Sequence, residues 1–159
     1  MTLKTIKVLK GQLLQSKGDL NSKIYIIESG LLRSYTIDDK GKEHIYMFGP
    51  ENWLVADNCE PSVPCQLYID AIEDSIVNVA PKEEATKQGA DMDAILRRLN
   101  SMQNRIVMLM SSTARERYLH FIETYPEIPQ RVTLKMIASY LGITPEALSR
   151  VRNELAQRK

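Results

Sequence analysis

Residues 133–157 read TLKMIASYLGITPEALSRVRNELAQ, and the rest of the chain is best read outward from them. Thr133 stands where a helix N-cap is wanted, and Leu134, Ile137, Ala138 and Leu141 follow at helical spacing. Gly142 then stops the helix, because the residue past a last turn takes a left-handed conformation most cheaply without a Cβ. Thr144 is a second N-cap, and Pro145 falls at the first helical position, where a missing N–H costs nothing. Leu148, Val151 and Leu155 mark the inner face of this second helix, and the small Ala138 lets the two helices approach. The pattern is a helix-turn-helix.

The outer face of the second helix carries Glu146, Ser149, Arg150 and Arg152. Such residues suit a DNA major groove, where Arg bonds guanine bidentately and Glu accepts from the cytosine amino group. Thr133, Lys135 and Thr144 are placed for phosphate contacts. Charge agrees with this reading. Residues 131–159 hold six basic and two acidic side chains, a net +4, against 15 basic and 18 acidic in residues 1–130. A basic tail on a mildly acidic body points to a polyanionic partner.

Upstream, Ile95, Leu99, Met102, Ile106, Leu109 and Thr113 recur at spacings of 4, 3, 4, 3 and 4, a heptad stripe on a helix over 91–112. Leu96, Val107 and Met110 widen it. So broad a face is expected to pack on its own β-domain along one flank. Along the other it pairs with a second copy through Ile95, Leu99, Met102, Ile106 and Leu109. A second helix, about 114–125, puts Tyr118, Phe121, Ile122 and Tyr125 on one face, and Pro126 and Pro129 end it.

Residues 3 to about 80 read as short strands with turn signals every 8–12 residues, the pattern of a sandwich or barrel. Lys40-Gly41 is a hairpin turn, and Glu73-Asp74 joins two further strands. Gly11, Gly18, Gly30, Gly41 and Gly49 all fall at expected turns.

Read in order, these segments resemble the cyclic-AMP receptor protein and fumarate–nitrate regulator (Crp/Fnr) superfamily of bacterial transcription factors. KGQLLQSKGDLNSKIYIIESGLLRSY resembles its cyclic-nucleotide-binding-type β-roll, SIVNVAP the strand leaving the roll, and 91–112 the long dimerisation helix. TPEALSR resembles the family's Glu-x-x-Ser-Arg recognition motif, matched by Glu146, Ser149 and Arg150. STARERYLHFIETYPEIP and IASYLGITPEALSRVR look most like a subgroup common in Bacteroidetes. The resemblance implies an α+β fold: a β-roll (jelly roll) sensor over 1–88, a dimerisation helix over 89–112, and a helix-turn-helix DNA-binding domain over 113–159. It also implies a homodimer on a palindromic double-stranded operator, with RNA polymerase as a candidate protein partner. The competing expectation is a ligand-binding or interaction module that no longer binds DNA productively.

Three departures shape the expectation. The family's phosphate-binding cassette has a Gly-Glu pair and then an Arg followed by a small hydroxylated residue, whereas this chain reads FGPENWLVADNCEPSVPCQLYIDA. No arginine occurs between Arg33 and Arg97, so a buried cyclic phosphate lacks its bidentate partner. Any effector is expected to be apolar or planar and held near Phe48, Trp53 and Tyr68; the alternative is that these three aromatic side chains simply fill the roll. Second, Cys59 and Cys65 read as free thiols, too few for a four-thiolate iron–sulfur site, and His44 and His120 have no metal-ligand spacing. No metal or cofactor is expected. Third, the helices that usually precede the roll and the hairpin wing that often follows the recognition helix are not read, so both ends are expected to be short, the N-terminus either by nature or by truncation.

No run approaches the roughly 20 apolar residues of a membrane span, and the N-terminus lacks a signal-peptide core. The expected location is the cytoplasm. No Ser-His-Asp, Cys-His or cupin-type ligand cluster is readable, and an enzyme is not expected.

Overall fold

In the computed structural model, residues 3–20, 22–60, 62–83 and 92–157 are described. The chain divides into two compact units, Met1–Gly89 and Ala90–Lys159. The boundary expected at 88/89 lies outside the described residues.

The first unit is built from eight described strands: β1 (Lys4–Val8), β2 (Leu13–Gln15), β3 (Lys23–Ser29), β4 (Leu32–Ile37), β5 (Glu43–Gly49), β6 (Leu54–Ala56), β7 (Tyr68–Ala71) and β8 (Ser75–Pro81). They form two four-stranded sheets of order β1-β8-β3-β6 and β2-β7-β4-β5, with every pairing antiparallel. Tyr25, Ile27, Val55 and Val77 from the first sheet meet Leu32, Ile69 and Ala71 from the second in one buried cluster. Alternation along each strand brings these side chains to the inner faces.

Two turns show why the two sheets form. Between β3 and β4 the chain crosses from one sheet to the other at Gly30, whose φ is +98°. A Cβ there would sit 2.7 Å from the Ser75 Cα, so only glycine fits. Glu73-Asp74 is likewise a crossing and not a hairpin, since β7 and β8 lie in different sheets. Gly49, expected at a turn, is instead the last residue of β5, paired with Leu32. A side chain on Gly49 would overlap Val55 Cγ2, so its role is close packing. The neighbouring turn falls to Asn52, with φ +67°. The expected Lys40-Gly41 turn is present, closed by Gly41 N–H to Asp38 O (2.9 Å) and Asp38 N–H to Lys42 O (3.0 Å).

The second sheet also carries a buried charge network. Arg33 donates from Nε and Nη2 to the two Asp70 oxygens (2.8 and 3.0 Å) and from Nη1 to Glu43 (2.6 Å). Burial pulls the Arg33 pKa down, but the two carboxylates outweigh it and hold the guanidinium charged. Its Cζ stands 4.2 Å from the Tyr35 ring centroid, and Tyr35 stacks on Tyr68 at 5.4 Å.

The second unit is helical: α1 (Met92–Ser111), α2 (Ala114–Thr124), α3 (Ile128–Arg131), α4 (Leu134–Leu141) and α5 (Pro145–Gln157). The heptad stripe ends at Leu109, because α1 stops at Ser111 and Thr113 caps α2 instead of extending the stripe. A capping box does this: Thr113 Oγ1 accepts from Glu116 N–H, and Glu116 Oε2 accepts from Thr113 N–H (2.7 Å). Pro129 does not end α2 but sits in the first turn of α3. Phe121, Tyr125 and Tyr140 pack ring against ring at 5.4–5.6 Å and join Ile137, Leu141 and Leu148 in the core.

Candidate nucleic-acid interface

The expected caps are all in place. Thr133 Oγ1 accepts from Met136 N–H (3.3 Å) at the start of α4, and Thr144 Oγ1 accepts from Ala147 N–H (3.2 Å) at the start of α5. Gly142 ends α4 in the left-handed region (φ 63°, ψ 33°), its N–H reaching Ser139 O at 3.2 Å. Ile143 N–H returns to Ala138 O at 3.1 Å, which fixes the angle of the turn. Ala138 is buried where the helices meet, and Leu148 and Val151 turn inward.

That burial settles which face of α5 is outward. Glu146, Arg150, Arg152 and Asn153 are exposed and Ser149 is half-buried, while Thr133, Lys135 and Thr144 are exposed at or near the two helix starts. Among the described residues, Arg150 and Arg152 form no ion pair, so no protein carboxylate neutralises either cation. The cap leaves each threonine its O–H hydrogen for a phosphate oxygen. Chemically, the arrangement is a helix face with two arginines unpaired among the described residues, flanked by two threonine-capped helix starts.

Two arginines that the sequence did not single out tie α1 to this region. Arg117 donates to Ser112 O (3.0 Å), Leu141 O (3.0 Å) and Leu109 O (2.6 Å). Arg105 donates to Tyr140 O (3.2 Å) and stacks its guanidinium on the Tyr140 ring at 3.9 Å. Their partners lie up to 35 residues away, which no local pattern signals.

On α1 itself, Ile95, Leu99 and Ile106 are exposed, as are Leu96, Val107 and Met110, the last at 80%. Met102 and Leu109 are half-buried and Met108 is buried. The stripe is therefore an uncovered apolar face over most of its length.

The three aromatic residues expected around an effector are divided. Pairing register puts Phe48 and Tyr68 on the sheet face that carries Arg33 and Asp70, whereas Trp53 packs with the cluster between the sheets. A cavity of about 160 Å³ lies elsewhere, lined by residues including Leu14, Gln15, Ser22, Tyr25 and Cys65. Beside it, burial and then the neighbouring Cys59 push the Cys65 thiol up to about 11.

No protein-family model matches the chain. The fumarate and nitrate reduction regulatory protein of Escherichia coli (strain K12) is 29% identical over 163 residues, covering 91% of this chain and 65% of that protein. The chain spans less than two thirds of the length of the curated relatives it matches, 63% to 65%. Among solved structures, FixK2 from Bradyrhizobium japonicum superposes with a TM-score of 0.81 at 20% identity, covering 99% of this chain and 86% of that one. A transcriptional regulator of the CRP/FNR family from Thermus thermophilus gives 0.78 at 18% identity, covering 98% and 87%. In sequence the chain is similar to fumarate and nitrate reduction regulatory proteins, and in fold it is similar to solved regulators of the CRP/FNR family.

Proposed function

We propose that the chain is a DNA-binding transcription regulator that reads a two-fold symmetric operator as a homodimer, with α5 in the major groove. The observation that carries this is the outward face of α5, where Glu146, Ser149, Arg150 and Arg152 follow a Thr144-capped helix start and the two arginines make no ion pair among the described residues. Arg150 and Glu146 read base edges, and Thr133, Lys135 and Thr144 hold phosphates. The names of its relatives support the same reading.

The exposed α1 face supplies the dimer. A parallel two-fold pair of α1 helices buries Ile95, Leu99, Met102, Ile106 and Leu109, and places two copies of α5 for two half-sites. No helix among the described residues is long and apolar enough to cross a membrane. RNA polymerase is a candidate partner of the DNA-bound dimer.

Selection of bound sites from random duplex DNA tests the proposal. The expected result is an enriched palindrome whose half-sites are about one helical turn, 10–10.5 base pairs, apart or a multiple of it. Recovery of unenriched sequence, with binding that follows salt alone, would overturn it.

A further inference from the structure

Asp57, Cys59 and Cys65 belong to none of the roles assigned so far. Their two sulfurs and a carboxylate oxygen all lie within 4.8 Å of one another. Two of the three are rigidly held. Asp57 is 4% exposed, and its carboxylate accepts from the N–H groups of Cys59 (3.2 Å), Gln66 (2.7 Å) and Leu67 (2.8 Å). Cys65, 2% exposed, is pinned through its own backbone: its N–H bonds Asp19 O (2.8 Å), and its O accepts from Gly18 N–H (2.8 Å). Cys59 is the partly exposed member, on the solvent side of the group.

A second, independent observation concerns Cys65 itself, which also lines the cavity of about 160 Å³. Its wall includes Ser22 and Gln15, each 4% exposed. Ser22 Oγ and Gln15 Oε1 are buried oxygens without a hydrogen bond of ordinary geometry among the described residues, and Ser22 lies against the Cys65 thiol. Buried polar atoms are nearly always satisfied, and an unsatisfied pair beside a cavity calls for a bound donor.

We propose that Asp57, Cys59 and Cys65 bind one thiophilic divalent cation of the zinc class, with a water as fourth ligand donating to Ser22 Oγ and Gln15 Oε1. A tetrahedral zinc has Zn–S near 2.3 Å and Zn–O near 2.0–2.2 Å, so its ligand atoms stand roughly 3.5–3.8 Å apart. The present spacing reaches that with small side-chain adjustments. Two thiolates select a soft or borderline ion over magnesium or calcium. On binding, each thiol loses its proton to solvent as its sulfur takes the metal, with no change of oxidation state. Two thiolates, one carboxylate and a dication sum to one negative charge. Lys82 Nζ, which donates to the main-chain oxygens of Asp57 (2.6 Å) and Cys59, balances it. The loop from Asp57 to Cys65 is then closed by metal as well as by hydrogen bonds.

The inference does not rest on the DNA-binding reading, and its test reads metal alone. The full chain is stripped with a chelator, kept reduced with a phosphine, and titrated with Co²⁺. The expected result is one equivalent bound with a thiolate-to-cobalt charge-transfer band in the near ultraviolet, lost when Zn²⁺ is added. Cys59→Ser, at the partly exposed position, should lose that band while keeping the circular dichroism of the parent. Lys82→Met should weaken Zn²⁺ about 10–100-fold, as outer-shell losses do. Absence of the band in the reduced chain, or its survival in Cys59→Ser, overturns the proposal. So does a thiol pair that takes up no metal and only loses two hydrogens in intact mass under peroxide, which would make it a dithiol–disulfide couple.

Discussion

Arg117 Nη1, on α2, donates to the main-chain oxygen of Leu141, the last residue of α4, at 3.0 Å. The same guanidinium holds Leu109 O and Ser112 O at the end of α1. One side chain thus fastens the apolar helix α1 to the turn that precedes α5. Hydrogen bonds from charged groups contribute about 1.5–3 kcal/mol. Arg117→Met removes three such bonds and should lower unfolding free energy by at least that amount in a urea titration. It should also weaken DNA of every sequence alike.

Arg150 and Lys135 should separate specificity from affinity. Arg150→Ala is expected to cost about 1–3 kcal/mol on the selected site and to flatten preference at one position of each half-site. Lys135→Ala should weaken matched and scrambled duplexes equally and reduce the salt slope by about one per monomer. Competition of both variants against the two duplexes measures this. Equal losses on both duplexes for Arg150→Ala would make Arg150 a phosphate contact.

Ile106 is 55% exposed at the middle of the apolar face of α1. Ile106→Glu would place two unpaired carboxylates in a closed seam, a cost of several kcal/mol. Sedimentation equilibrium should then report the monomer mass of 18.1 kDa where the parent reports twice that. An unchanged mass would put the interface elsewhere.

Cyclic AMP should show no saturable micromolar binding by calorimetry. Arg33 is the one arginine in residues 1–96, and both its edges are committed to Asp70 and Glu43. No guanidinium of that segment is left for a buried phosphate. A micromolar isotherm would show that the roll holds the phosphate by other donors.

The Thr113 backbone N–H and then its hydroxyl hold the Glu116 carboxyl below the usual carboxylate range. A depressed pKa contributes stability that is complete above the ordinary value of about 4.3 and lost as pH falls through the folded value. Glu116→Gln keeps a side chain able to close the capping box but cannot titrate. Urea midpoints followed from pH 6 to 3 should therefore fall less steeply for Glu116→Gln than for the parent.

The helix-turn-helix was legible in sequence because its signals are local. Thr133, Gly142, Thr144 and Pro145 each act within four residues of themselves, and each does what its position implied. What stayed hidden depends on distant partners. Gly49 reads as a turn until Val55 is seen pressing on it, and Arg33 gives no hint of Asp70, 37 residues on. Trp53 and Phe48 are near neighbours in sequence, yet Trp53 packs on the cluster between the sheets while Phe48 lies opposite Arg33 in the strand pairing. Thr113 fits the heptad spacing but caps the next helix, since a period alone does not show where α1 ends.

The pairing of β1 with β8 sets Lys4 against Val79. On a ribosome the first strand therefore emerges long before the strand it pairs with. At about 5–20 residues per second, some 75 residues take roughly 4–15 s to make. For that interval the edge of β1, with Ile6 and Val8 on it, has no native strand to pair with, and β3 meets its neighbour β8 only then as well. Closure of the first sheet is thus a late event in the synthesis of each nascent chain, and chaperoning of the unpaired β1 strand matters most in that window.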